Sequence, residues 1–286
     1  MRAVPPQLLL LGSIGSVQFG SAFAAKLFDR AGPGGVVFLR LCLSAIILLA
    51  VSRPTLRGRT RTDVVAAIAF GLVLGGMNWS FYEALDRLPL GVAVTIEFLG
   101  PLSVAIAGSR RAVDLLWVAL AGGGVVLLAL RGDKHGVTGL GVGLVLIAAS
   151  CWAGYILLSK RVGAAFAQLD GLAIALGVGA VLVVPVGVVE GGSALGEPAV
   201  LGGGLLVALL SSLIPYSLEI IALRRMRPSV FGLLMSLEPA MAATAGVLVL
   251  GETISPVLVL AIAMVITASV GTTLSAREQP VPQVLD

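Results

Sequence analysis

Metal-binding side chains are nearly missing: one histidine and two cysteines occur in 286 residues. His135 stands in a Gly- and charge-rich loop. Cys42 and Cys151 fall inside apolar runs with no CxxC spacing and read as small buried hydrophobes. A metal centre and a disulfide framework are thereby excluded. Charge is scarce as well, at 12% of residues, about half of what a soluble domain carries. No HExxH, no nucleophile–base set and no phosphate-cradling loop occurs. The Gly-rich "AGGGVVLLAL" (121–130) lacks a preceding strand and a GK[ST] ending, so it reads as a packing helix. No enzyme activity and no cofactor is expected.

Apolar residues fill the space that charge leaves. They make up 58% of the chain, mean hydropathy is +1.06, and glycine contributes 37 residues, as membrane helices allow. The runs have helical length, not the ten-residue alternation of an outer-membrane barrel. The chain therefore reads as an all-α integral membrane protein. Its net charge of +4 belongs to loops, so nucleic acid is not expected as a partner. The lipid bilayer is.

Segments near 20 apolar residues are the unit that crosses a bilayer. Ten are expected, at about 7–28, 33–52, 64–85, 90–109, 112–130, 138–159, 169–189, 199–222, 229–249 and 254–274. With the N-terminus inside, the cytoplasmic side receives Arg2, Arg53, Arg57, Arg59, Arg61, Arg110, Arg111, Lys160, Arg161, Arg224, Arg225, Arg227 and Arg277. The outer side receives only Lys26, Arg30, Arg87, Arg131 and Lys134, and Arg40 lies within a span. The positive-inside rule then places both termini in the cytoplasm. Arg2, "LLLLG" and "AFA" (22–24) imitate a signal peptide, but the segment is expected to stay as the first span.

The halves resemble each other. At an offset of 138, "ALDRLPLGVAVTIEFLGP" (84–101) meets "ALRRMRPSVFGLLMSLEP" (222–239), with Ala84, Leu85, Arg87, Val92, Leu99 and Pro101 on identical residues. At 134, "QFGSAFAAK" (18–26) meets "WAGYILLSK" (152–160). Two repeats are expected, 7–131 and 138–275, followed by a tail, 276–286. Five spans per repeat invert the second copy, the arrangement of many secondary transporters, whose site lies at the midplane between copies.

The stretches 75–121 and 214–256, with "IEFLGPL", "SRR.VD", "SLEPA" and "LGE", resemble the EamA branch of the drug/metabolite transporter superfamily, and within it the bacterial inner-membrane threonine/homoserine exporters. The resemblance covers nearly the whole chain. It implies a ten-helix basket in the inner membrane that exports small metabolites, with amino acids as substrate and protons as the coupling ion. It says nothing of oligomeric state.

Several polar residues stand where lipid-facing helices would not hold them. Glu97 lies inside an apolar span, where a carboxylate costs roughly 2.5–3.5 kcal/mol on insertion scales. Pro101 frees the carbonyl four residues back, which is that of Glu97 itself. By strict alignment the repeat equivalent of Glu97 is Met235, but Glu238 lies three residues on, directly before Pro239, so each half places one carboxylate within a turn of its proline. Acid and proline together predict a locally opened helix beside a wet pocket. Arg40 is expected either to pair with Glu97 or to hold a substrate carboxylate, for which its planar fork is suited. Asn78 and Tyr82 share a helix face; they and Ser236 are candidates for a substrate hydroxyl. Gln18 and Trp152 are repeat mates, with Tyr155 close by. Tyr216 and Glu219 are placed towards the cytoplasmic end, as a gate or an interfacial cluster. Lys26 and Lys160 read as snorkelling residues. The alternatives are export of another amphiphilic metabolite or drug on the same fold, and a structural or lipid-handling membrane protein.

Overall fold

The computed structural model describes residues 4–107, 113–131, 137–166, 169–223, 225–226 and 228–277. His135, the charges Arg2, Arg110, Arg111, Lys134, Arg224 and Arg227, and most of the tail lie outside the described residues. The described chain is helical, with no strand among its residues. Nine of its helices are long and apolar enough to cross a membrane, and a shorter apolar stretch, Leu115–Leu128, stands at the fifth expected span.

In chain order, α1 is Pro6–Ala25, α2 Phe28–Ser52 and α3 Arg61–Leu85. The fourth span is divided into α4, Leu90–Glu97, and α5, Leu99–Ala107. Then come α6, Val113–Arg131, α7, Gly139–Ala165, and α8, Asp170–Gly191. The eighth span is α9, Pro198–Ala208, a π turn at Leu209–Leu213, and α10, Ile214–Leu223. The ninth is α11, Pro228–Met235, then α12, Glu238–Ala245, ending in a second π turn. The last is α13, Pro256–Arg277.

Local chemistry explains the ends and breaks. Thr60 and Asp63 close a capping box on α3, and the Thr138 hydroxyl accepts the Gly141 amide at the start of α7. Pro101 and Pro239 bring no amide, and the helix divides just before each, at Phe98 and at Ser236–Leu237. Both divisions fall in the fourth span of a half. In α2, Gly32 takes φ +64° ahead of Pro33, a conformation that costs glycine little. The amide of Gly34, just beyond, donates to the Glu190 carboxylate at 2.7 Å.

Helix pairings join the two halves, among them α2 with α8, α3 with α7, α1 with α10, α4 with α12, and α6 with α13. In span order these are second with seventh, third with sixth, first with eighth, fourth with ninth, and fifth with tenth. Exchanging the halves maps this set onto itself. Close crossings use glycine: a Cβ on Gly75 would stand 2.9 Å from the Gly179 Cα. At one end of the bundle Glu252 accepts the Leu90 amide on both oxygens, at 3.0 and 3.2 Å, and so caps α4.

Candidate functional site

A cavity of about 860 Å³ lies between the halves. Its wall takes residues from α1, α2, α3, both parts of the fourth and ninth spans, α7, α8, the eighth span and α13. That volume falls in the range of small-molecule sites.

Three carboxylates line it: Glu97 as the last residue of α4, Glu238 as the first of α12, and Glu219 on α10. The two helix breaks give the first two opposite surroundings. Glu97 is the C-terminal residue of its helix and Glu238 the N-terminal residue of its own, the end where the helix dipole favours an anion. Neither makes a hydrogen bond or ion pair with a described residue, although Arg40 is in electrostatic reach of Glu97. Glu219 differs: the Ser13 hydroxyl donates to its Oε1 at 2.7 Å and also lies 3.3 Å from the Pro215 oxygen.

Arg40 is held without an acid. Its Nε donates to the Ser212 hydroxyl at 3.2 Å, Nη1 to the Tyr82 hydroxyl at 3.1 Å, and Nη2 to the Ser211 carbonyl at 2.8 Å. Its guanidinium carbon stands 5.4 Å from the centre of the Tyr82 ring. A guanidinium has five donors, so two remain for the cavity that Arg40 lines. Of the two roles expected for Arg40, the pairing with Glu97 is not the one seen.

The other candidates divide by position. Gln18, Asn78, Pro101, Trp152, Tyr155 and Tyr216 line the cavity. Asn78 donates its amide to the Leu74 carbonyl at 2.8 Å, which leaves its oxygen free. The Gln18 Oε1 is buried with no partner among the described residues, an orphan that a ligand donor would satisfy. Trp152 meets the Phe98 ring edge-on at 6.0 Å, and Tyr155 lies against Phe70 at 5.0 Å. Three residues stand behind the wall. Tyr82 is fully buried and supports Arg40; Ser236 donates to the Leu233 carbonyl at 2.6 Å; Pro239 is buried beside Glu238. Tyr216 and Glu219 face the same cavity as the other acids. Lys160, read as snorkelling, lines it too.

Sequence reasoning missed Ser13, Ser211 and Ser212. One signal was available for Ser211. Pro215 stands four residues after it and frees its carbonyl, the same rule that singled out Glu97 and Pro101. Ser13 had no such signal, because its partner is 206 residues away.

Residues 139–274 match the model of the EamA-like transporter family. The threonine/homoserine exporter RhtA of Salmonella typhimurium is 44% identical over 276 residues, 96% of this chain and 93% of that protein. The protein of the same description from Escherichia coli K12 is 43% identical over 290 residues, 100% of this chain and 98% of its own. One crystal structure superposes with a TM-score of 0.64 over 96% of this chain and 99% of that one, at 18% identity, which shows the shared fold.

Proposed function

The chain belongs to the EamA-like transporter family, and from that footing we propose that it exports threonine, homoserine and related small amino acids across the bacterial inner membrane in exchange for protons. The observation that carries this is one cavity facing both an arginine with unused donors and several carboxylates. A zwitterion needs that pair of charges in a site closed to lipid. Arg40 takes the substrate carboxylate, Glu97 or Glu238 its ammonium, and Asn78 and Gln18 its hydroxyl. Glu97 exchanges its proton for the ammonium, so proton and substrate exclude each other.

Orientation follows from the loop charges. With both termini cytoplasmic, the wall residues from α7 (152–163), α11–α12 (231–238) and α13 (269–273) belong to the inner halves of their spans. The cavity therefore opens to the cytoplasm, and the capping of α4 by Glu252 stands on the closed outer side. The helix pairings that survive exchange of the halves support two inverted repeats, 7–131 and 138–275, between which a rocking motion would alternate access.

Phe70, Phe98, Phe231 and Trp152 give the cavity an aromatic side, which favours a larger amphiphile as the second reading. Transport into everted vesicles against a panel of amino acids and amphiphiles, with and without an acidic lumen that drives protons outward, separates the two. Threonine movement stimulated by the gradient is the expected result. Transport of amphiphiles alone would move the assignment to them, and a protein that moves nothing would point to a structural role.

A further inference from the structure

Glu219 is the acid that the reading above leaves without work. It lies on α10, in the second half of the chain, whereas Glu97 lies on α4 in the first. Both face the same cavity. Glu219 has something that Glu97 and Glu238 lack: a hydroxyl that can serve it in either protonation state. Ser13 is fully buried on α1 and donates to Glu219 Oε1 at 2.7 Å. The Ser13 hydroxyl oxygen also lies 3.3 Å from the Pro215 carbonyl oxygen, one turn before Glu219 on α10.

These distances define two arrangements of one hydrogen-bond chain. With Glu219 ionised, Ser13 donates to the carboxylate. With Glu219 protonated, the carboxylic acid donates to the Ser13 oxygen, and the hydroxyl turns to the Pro215 carbonyl, which has a second lone pair to accept it. Neither arrangement strands a buried donor or acceptor, so gain or loss of the proton carries no unpaired group with it. The titratable groups in electrostatic reach are Tyr216 on α10, Tyr155 on α7 and Glu238 on α12. The described residues place no cation beside Glu219 to hold it permanently ionised.

We propose that Glu219, with Ser13 and the Pro215 carbonyl, is a second proton-binding site separate from Glu97, so that two protons are exchanged for each amino acid. This rests on the antiport reading above. In the outward-facing state an O–H bond forms on each of Glu97 and Glu219 with protons from bulk water. In the inward-facing state an ammonium entering the cavity draws both protons off to the cytoplasm. Residues 13 and 219 come from α1 and α10, which pack along each other, so a shift of one helix past the other alters the relay.

The test is proton release on substrate binding, read with a pH indicator in weakly buffered detergent solution of the purified full chain, with L-threonine as the probe. The wild type is expected to release about two protons per threonine bound, and Glu219→Gln about one while still binding threonine. Release of one proton by the wild type, or equal release by wild type and Glu219→Gln, overturns the second site. Ser13→Ala keeps the carboxyl and removes the relay. It is expected to shift the pH midpoint of release without changing the number, and an unmoved midpoint overturns the role of Ser13. Should Glu219→Gln fail to fold, Ser13→Ala decides, because Ser13 serves Glu219 and neither of the other two acids. Threonine binding with no proton release at all would instead remove the antiport reading, and the second site with it.

Discussion

Arg40 donates to the main-chain oxygen of Ser211 at 2.8 Å. Pro215 stands four residues beyond Ser211 and has no amide to offer that oxygen, so the guanidinium fills the place of the missing helical donor. The bond ties α2 to the eighth span where that span is already loosened by its π turn, a feature common at functional sites. Ser212 and Tyr82 complete the support. The cation is thus oriented before any ligand arrives, in the wall of the cavity.

The first prediction concerns that orientation. Arg40→Lys keeps the charge but cannot reach Ser211, Ser212, Tyr82 and a ligand together. Hydrogen bonds to a charged group are worth about 1.5–3 kcal/mol, so the dissociation constant for threonine should rise roughly 10- to 100-fold in a folded protein. Tyr82→Phe removes one supporting hydroxyl and should raise it by a smaller factor. Calorimetric titration of both variants measures this, and an unchanged constant in Arg40→Lys would remove Arg40 from the substrate site.

Glu97→Gln is expected to fold with a melting temperature near that of the wild type. Arg40 does not depend on Glu97 for its partners, so the substitution strands no buried cation. Exchange of internal for external threonine should continue, while the acceleration by an inward proton gradient is reduced. Proteoliposome flux with and without the gradient is the measurement. A well-folded variant that responds fully would remove Glu97 as a proton carrier and leave coupling to Glu219 and Glu238.

Helix crossing gives a test of packing alone. At Gly75 a methyl group meets Gly179 backbone atoms at 2.9 and 3.1 Å, whereas at Gly122 nothing lies within 4 Å. Gly75→Ala should destabilise by about 1–3 kcal/mol, since backbone on a facing helix must move. Gly122→Ala should cost nothing in packing. Thermal unfolding in one detergent compares them, and equal melting temperatures would refute the close α3–α8 crossing.

Glu252 lies in the loop between the last two spans. Burial pushes its carboxyl up from the usual 4.5, against the lowering effect of the Leu90 amide. The folded protein then holds this proton more tightly than the unfolded chain. Stability contributed here is full below pH 4.5 and is lost as pH rises through the raised value. Glu252→Gln can still accept the Leu90 amide but does not titrate. Its melting temperature relative to the wild type should therefore increase as pH climbs above about 4.5. The opposite trend would mean that the ionised cap on α4 outweighs the cost of burial.

Much of this protein was legible along the chain because the relevant physics is local. A run of apolar residues finds its place in a bilayer by its own length, and a proline withholds its amide wherever the span lies. Hence nine of the ten expected spans, the broken fourth and ninth among them, and Glu97 and Glu238 beside the breaks are found among the described residues, with a shorter apolar stretch at the fifth. Some boundaries moved: α7 runs to Ala165, past the expected end near 159, and carries Lys160 along the cavity wall.

Partner choice was decided only in three dimensions. Arg40 was expected to meet Glu97 or a ligand and is held by Ser211, Ser212 and Tyr82; Glu219 meets Ser13; Glu252 meets Leu90, 162 residues away. Ser236, expected near a substrate hydroxyl, turns to its own helix. In a soluble helix the apolar stripe announces which face turns inward. Here lipid and protein interior are alike apolar, so composition sets that a helix spans while leaving its rotation open. Rotation is settled by glycine contacts such as Gly75 on Gly179 and by the few polar groups that must find one another away from water.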